Sequence, residues 1–286
     1  MRKKLKHRAY KLLNRSGLRS ILAASAASIA TVRVGKLCKV SYEGEWVQRF
    51  PSCALVEPRL SLWTPEEIER MTSDVFMYQY RPGLGHTIVD VGAGTGWETL
   101  FFSRSVGVSG RVISIEAHPR VFRCLSKMCA ENRLKNVTLV QSAVADQQRE
   151  VQLSDSHEHE GNSIIDVVSG IRVPCTTLDY IFRSLELRQV DFLKMNIEGA
   201  EKLALRGMGE MVQKTKNVCI SCHDFLANGG GTNELRTKAE VIAFLKQNGF
   251  LVSVREFDGR CNVRDYVYGV NEKLLINNTN SVENRC

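Results

Sequence analysis

The 286 residues fit one large α/β domain, alone or with a modest appendage. With 43% hydrophobic and 24% charged residues the chain can bury a sizeable core, which excludes collagen-like, low-complexity and wholly disordered classes. Of 39 cations, eleven lie within residues 1–39, ahead of the first acid, Glu43, so the rest of the chain holds 28 cations against 31 acids. A basic arm on a mildly acidic body argues against a body-wide nucleic-acid surface, and nucleic acid is not an expected partner.

The arm, residues 1–34, carries eight cations within its first 19 residues, with Leu5, Leu12, Leu13, Leu18 and Leu22 between them. That mixture suits a peripheral contact with a membrane surface, a solvated helix or a targeting segment. No run of 18 apolar residues occurs, so no ordinary transmembrane helix is encoded. Nine cysteines, odd in number and without regular spacing, predict reduced thiols and a cytoplasmic protein, peripheral to a membrane if the arm engages one. Residues 35–85 are expected to be a helical lead-in. Within it, Thr64-Pro65-Glu66-Glu67 combines an N-cap, a proline at the first helical position and a capping-box glutamate, which predicts a helix from Pro65 to about Asp74.

From Thr87 a βα rhythm sets in. Strands are expected at Thr87–Val91, Arg111–Glu116 and Val137–Gln141, with helices from the glycine turn to about Ser105 and over Pro119–Asn132. Between Asp146 and Pro174 the rhythm breaks. Val151–Leu153 and Ile171–Val173 there can pair as a hairpin around a loop with His157-Glu158-His159-Glu160. It resumes with a helix near Leu178–Leu187, a strand Val190–Met195, a helix from Ala200 and a strand Val218–Cys222. A triglycine loop, a helix Asn233–Asn248, and strands near Leu251–Arg255 and Asp265–Val270 close the series. Strands alternating with helices imply a mostly parallel sheet covered on both faces, over a domain of residues 86–275 with a tail at 276–286.

The sharpest chemical signal is Val89-Asp90-Val91-Gly92-Ala93-Gly94-Thr95-Gly96. Glycine lets a backbone approach a ligand and take positive φ, and this turn follows the first strand of the sheet, where open α/β sheets bind ligands. Glu116 ends the next strand, 20 residues beyond Gly96, where a carboxylate can accept both hydroxyls of a ribose. The spacing G-x-G-x-G, followed by bulky Trp97, departs from the dinucleotide fingerprint, and Asp90 would repel a pyrophosphate. A carboxylate there suits a cationic ligand such as S-adenosylmethionine.

With these motifs in place, Thr87 to Val270 resembles the FkbM-type methyltransferases, a branch of the class I S-adenosylmethionine-dependent enzymes. Asp90–Gly96 is similar to the family's D-x-G-A-N-x-G, Ile115-Glu116-Ala117-His118-Pro119 to its F-E-P-x-P, and Leu193-Lys194-Met195-Asn196-Ile197-Glu198-Gly199-Ala200-Glu201 to its L-K-I-D-V-E-G-A-E. Asn196 replaces the family's aspartate, and Ser221 stands where a glutamate often precedes Cys222-His223. The resemblance implies a Rossmann-like, seven-stranded, mostly parallel sheet with its last strand antiparallel. It also implies O-methyl transfer to a hydroxyl of a sugar, glycolipid or secondary metabolite. The expected cofactor-binding residues are Asp90, Gly92, Gly94, Gly96, Glu116, Ser142, Ala143 and Asn196.

An alcohol acceptor must lose its proton as the methyl is attacked. His223, at the end of the fifth strand, is the expected base, with Asp224 orienting it or replacing it and Glu198 as a further catalytic candidate. A purely structural histidine and a helix start favoured by acids are the alternatives for His223 and for Glu198-Gly199-Ala200-Glu201. No metal site is expected, since Cys219 and Cys222 should face opposite sides of a strand. Two other readings stay open: a nucleic-acid methyltransferase anchored by the arm, and a cofactor-binding homologue without catalysis, prompted by Asn196.

Overall fold

A computed structural model describes residues 16–155, 162–165, 167 and 170–274. The His157–Glu160 loop motif, residues 1–15 of the arm and the C-terminal tail lie outside them. The predicted core elements are all present, with a seven-stranded sheet at the centre. Its strands are β4 (Thr87–Val91), β5 (Arg111–Glu116), β6 (Val137–Gln141), β10 (Val190–Met195), β11 (Thr215–Ser221), β12 (Phe250–Val254) and β13 (Tyr266–Asn271). Their spatial order is β12-β13-β11-β10-β4-β5-β6, and only β13 runs antiparallel to its neighbours.

Alternation along the strands decides what covers each face. Val89, Val91, Ile113, Ile115, Leu193 and Met195 point into one apolar core with α5 (Leu178–Ser184), α6 (Glu201–Arg206) and α8 (Lys238–Gln247). Their neighbours Ile88, Val112 and Phe192 point the other way, into a core with α2 (Pro65–Val75) and α3 (Trp97–Val106). Cys222 falls in the first core and Cys219 in the second, on opposite faces as their spacing requires. The capping box is formed: Glu67 N donates to Thr64 Oγ1 and Thr64 N to Glu67 Oε2.

Three features differ from expectation. The lead-in is not mainly helical: β1 (Lys39–Tyr42), β2 (Trp46–Arg49) and β3 (Ala54–Glu57) form an antiparallel meander ahead of α2. It docks on α4 (Pro119–Glu131) through a bidentate Arg49–Glu131 pair at 2.8 and 3.0 Å and through Asn132, whose side-chain amide bonds both N and O of Ala54. Second, the arm is only partly an arm. Residues 16–34 form α1, whose Ala23, Ala26 and Ala30 are buried, while Arg19 lies over the Tyr42 ring of β1. Third, the helix expected over Asn233–Asn248 is broken into a short 3₁₀ turn, Asn233–Leu235, and α8, with a five-residue helix α7 (Asp224–Asn228) before them.

The hairpin over the break in rhythm is present as β8 (Arg149–Ser154) and β9 (Gly170–Thr176), joined by the two-residue β7 (Ala143–Val144) in a third small sheet. Among the described residues, no helix is long and apolar enough to cross a membrane. The eight described cysteines are free thiols, seven of them buried.

One charge pair lies inside the sheet. Lys194 of β10 stands opposite Asp90 of β4, both at most 1% exposed, and its Nζ is 2.9 Å from Asp90 Oδ1 and 2.7 Å from the Gly92 carbonyl. Thr99 Oγ1 donates to the other Asp90 oxygen at 2.8 Å. Burial opposes the Lys194 charge, but Asp90 and Glu98 outweigh it and raise its pKa. Lys194→Met should lower unfolding free energy by about 3–5 kcal/mol, because it leaves a buried carboxyl without its counter-charge. Urea denaturation checks this, and the double variant Asp90→Asn/Lys194→Met should recover much of the loss.

Candidate functional site

The strand order reverses between β4 and β10, so their carboxyl ends diverge to leave a crevice, the usual ligand position in open α/β sheets. A cavity opens there. Its walls are the glycine turn (Gly92 to Thr95), the ends of β5 and β6 with Glu116, Ser142 and Ala143, the end of β10 with Asn196 and Glu198, and Leu153, Asn162 and Ile164 from the β8–β9 hairpin.

The three glycines of the turn have different reasons to be glycine. A Cβ on Gly92 would collide with the Asn196 carbonyl, since Asn196 N also bonds the Val91 carbonyl at 3.0 Å and draws the two strand ends together. Gly96, at φ 95°, packs against Met128 and Leu125 of α4 and does not line the cavity, which corrects its expected place in the cofactor site. Gly94 alone has open space where a side chain would be, so it is the glycine that leaves room for a ligand.

Asp90 is corrected as well. It is fully buried, lies behind the cavity wall and is matched by Lys194, so its charge is already committed inside the protein. Glu116 is in the wall. Its two oxygens accept the backbone N–H groups of Gly94 (3.0 Å) and His118 (2.8 Å), and burial raises its carboxyl to about 7, against the lowering effect of those hydrogen bonds. Ser142 and Ala143 also line the cavity, with the single Ser142 hydroxyl proton within reach of the Ala143 carbonyl at 2.8 Å and the Pro174 carbonyl at 3.1 Å. Asn196 is the informative wall residue. Its Oδ1 is buried with no hydrogen-bond partner, an acceptor left over after the protein's own bonds are made.

Beside it the chain turns sharply. Glu198 takes φ 53°, a left-handed conformation unusual for a residue with a side chain, and Ser163 Oγ donates to its carbonyl at 2.6 Å. The turn is gathered by Glu201, fully buried, which accepts from Gly199 N at 3.1 Å and from Thr237 Oγ1 at 3.1 Å. His223 lies between the two acids, with Nδ1 3.0 Å from Glu201 Oε1 and Nε2 3.3 Å from Glu198 Oε1. Burial disfavours its charge, but the two carboxylates prevail and raise its pKa to about 10.

His223 thus has both ring nitrogens facing carboxylates that favour its charged form, and it does not line the cavity, so the geometry does not place it to accept a proton from a substrate. Asp224 is not in the cavity either: its Oδ2 accepts from Thr237 N (2.8 Å) and Lys238 N (3.1 Å), capping α8. Of the three expected catalytic residues, only Glu198 reaches the cavity, and no hydrogen bond to its Oε2 is made within the described residues.

Two contributors were not anticipated. Glu98, on the first turn of α3, is a cavity residue only 9% exposed whose carboxyl is raised by burial. A glutamate two residues past the glycine turn was the available signal. Glu57 of β3 accepts hydrogen bonds from Thr95 Oγ1 (2.8 Å) and from Trp97 Nε1, so the meander props the glycine turn from outside. Among the described residues no group of three or more His, Cys, Asp or Glu side chains is arranged to hold a metal ion.

Residues 90–252, more than half of the chain, match the model of the methyltransferase FkbM domain. No curated protein matches the chain. Similar solved structures include an FkbM methyltransferase from Methylobacillus flagellatus, at 17% identity and a TM-score of 0.47 over 73% of this chain and 51% of that one. The chain thus spans about half the length of that protein. Fibrillarin from Aeropyrum pernix, solved with S-adenosyl-L-methionine, gives 15% identity and a TM-score of 0.45 over 83% and 90% of the two chains. An O-methyltransferase from Bacillus cereus gives 11% and 0.45 over 75% and 83%. The match over the glycine turn, the central strands and the Asn196–Glu201 turn shows that the chain belongs to the FkbM methyltransferase family.

Proposed function

We propose that the cavity binds S-adenosylmethionine and that the protein transfers its methyl group to a hydroxyl oxygen of a sugar, glycolipid or secondary metabolite. The observation that carries this reading is the orphaned Oδ1 of Asn196, a buried acceptor in the cavity wall next to the Glu198 carboxylate. An amide oxygen needs a donor, and the ammonium of the methionine moiety supplies one. Glu116 suits the ribose hydroxyls, the space at Gly94 admits the ligand, and Ile115, Val121 and Leu153 give the adenine an apolar wall. When bound, the cofactor supplies a methyl carbon activated by a cationic sulfur.

The remaining work belongs to the chain's own residues. Positioning supplies most of the rate in such a displacement. Glu198 takes the acceptor's proton at Oε2, while His223 acts as a positioning residue, its imidazolium donating to Glu198 and Glu201 and holding the left-handed turn. Asparagine at position 196 removes a charge that would otherwise stand near Glu198, and it leaves the base role to a single carboxylate.

Incubation with methyl-labelled cofactor and cell extract tests the function. Label is expected in glycan, lipid or small-molecule fractions, and label confined to nucleic acid would replace this reading. Glu198→Gln should lower kcat by about 10²–10⁴-fold while leaving cofactor affinity nearly unchanged, as single-turnover kinetics and calorimetry can show.

Cofactor affinity should also depend on pH through Glu116. Hydroxyl donors favour the ionised carboxylate, so binding draws Glu116 toward the charged form, and below its pKa of about 7 binding must release a proton. Affinity should be highest just above pH 7, where the ligand's amino group is still an ammonium, and weaken as pH falls through about 7, by up to about tenfold per pH unit. Calorimetry across that range checks it, and Glu116→Gln should flatten the profile.

A further inference from the structure

Of the described acids that line the cavity, Glu116 is assigned to the ribose and Glu198 to the acceptor's proton, which leaves Glu98. It stands on the first turn of α3, where an acid ordinarily meets the helix dipole in contact with water. This one is nearly buried in the cavity wall, and no hydrogen bond or ion pair from another described residue reaches its carboxylate. Its neighbours fix which part of the cavity it serves. The charge of Lys194 acts on Glu98, and Lys194 Nζ bonds the Gly92 carbonyl and lies 5.1 Å from the centre of the Phe76 ring. Lys194, Gly92 and Phe76 all line the cavity, and Gly92 abuts the Asn196 carbonyl. Glu98 therefore belongs with Asn196 at the β4–β10 end, whereas Glu116 is bonded to Gly94 on the β5 side. At the β4–β10 end Asp90 already takes the Lys194 ammonium at 2.9 Å. Two carboxylates share one cation there, so a negative charge stays uncompensated in a poorly hydrated place, and burial raises the Glu98 carboxyl accordingly.

Given the cofactor reading above, on which this rests, we propose that Glu98 recognises the amino group of S-adenosylmethionine, its carboxylate pairing with the ligand's ammonium beside Asn196. An ammonium has three donors; the orphaned Asn196 Oδ1 takes one, but an amide carries no charge. A carboxylate in the same wall takes another and neutralises the cation, a charge-assisted bond roughly twice as strong as a neutral one. The Phe76 ring makes part of this end apolar, which strengthens the attraction. Glu98 also accounts for the departure at position 196: the negative charge that the family's aspartate would bring from β10 comes here from α3.

Calorimetry on the full chain tests this with S-adenosylhomocysteine and its deaminated analogue, two probes without the sulfonium charge that differ only in the amino group. The unsubstituted protein should bind the amino-bearing probe about tenfold or more tighter, and Glu98→Gln should remove most of that preference. Glu98→Ala, a second variant, should do the same. In either variant, affinity for the deaminated probe should stay within about twofold, which also shows that the variant is folded. A preference for the amino group that survives both substitutions overturns the assignment. So does an unsubstituted protein indifferent to the amino group, a result that needs no variant. Failure of the unsubstituted protein to bind either probe counts instead against the cofactor reading, and the role of Glu98 falls with it.

Discussion

The ammonium of Lys194 lies between the carboxylate of Asp90 and the carbonyl of Gly92, and the cavity is organised around that placement. A cation inside a sheet is tolerated only when a counter-charge and further acceptors meet it. Here those acceptors are the last acid of β4 and the first carbonyl of the glycine turn, so neutralising the charge also fixes where the turn begins. Asn196 N, bonded to Val91 O on the same pair of strands, sets the other edge. Two adjacent strand ends are thereby held at a separation that only a glycine at position 92 permits.

A second buried network follows the end of β10, with a different balance of charge. There one cation, His223, serves two carboxylates, and the excess negative charge is partly spent on the backbone N–H groups and the Thr237 hydroxyl that bond Glu201. The difference matters for chemistry. The Asp90–Lys194 pair is closed and structural, whereas Glu198 of the Glu198–His223–Glu201 group lines the cavity. A strained backbone at Glu198 is the local cost of that exposure, about 1–3 kcal/mol for a left-handed residue with a side chain, and Ser163 helps to hold it.

Most of the parallel sheet was legible because buried strands are short apolar runs bounded by turn residues, and each has a helix of clear period beside it. The meander was not. Its four-residue strands mix Gln48, Arg49 and Glu57 with the apolar residues, and two of those polar side chains are themselves buried, which erases the alternation a reader relies on. In the site, Glu116, Gly92, Gly94, Ser142, Ala143, Asn196 and Glu198 reach the cavity because motif and topology together place strand ends at one rim. Asp90, Gly96, His223 and Asp224 do not, for a common reason. Each satisfies a partner remote in sequence, respectively Lys194, the α4 side chains, the Glu198–Glu201 pair and the start of α8, and spacing along the chain carries no trace of those meetings.

The hydrogen bonds from Thr95 and Trp97 to Glu57 bear on what counts as a unit in this protein. The recognisable pattern starts at residue 90 and stops at residue 252, inside β12 and short of the antiparallel strand β13. A carboxylate 33 positions upstream of that pattern nevertheless braces its glycine turn, and the strand that separates β12 from β11 lies beyond its end. Heredity and folding therefore cut this chain at different places: a fragment excised at the pattern's limits would keep the signature and lose the buttress and the sheet's continuity. Grafts or chimaeras intended to exchange acceptor preference should accordingly carry the meander and the final hairpin along with the motifs.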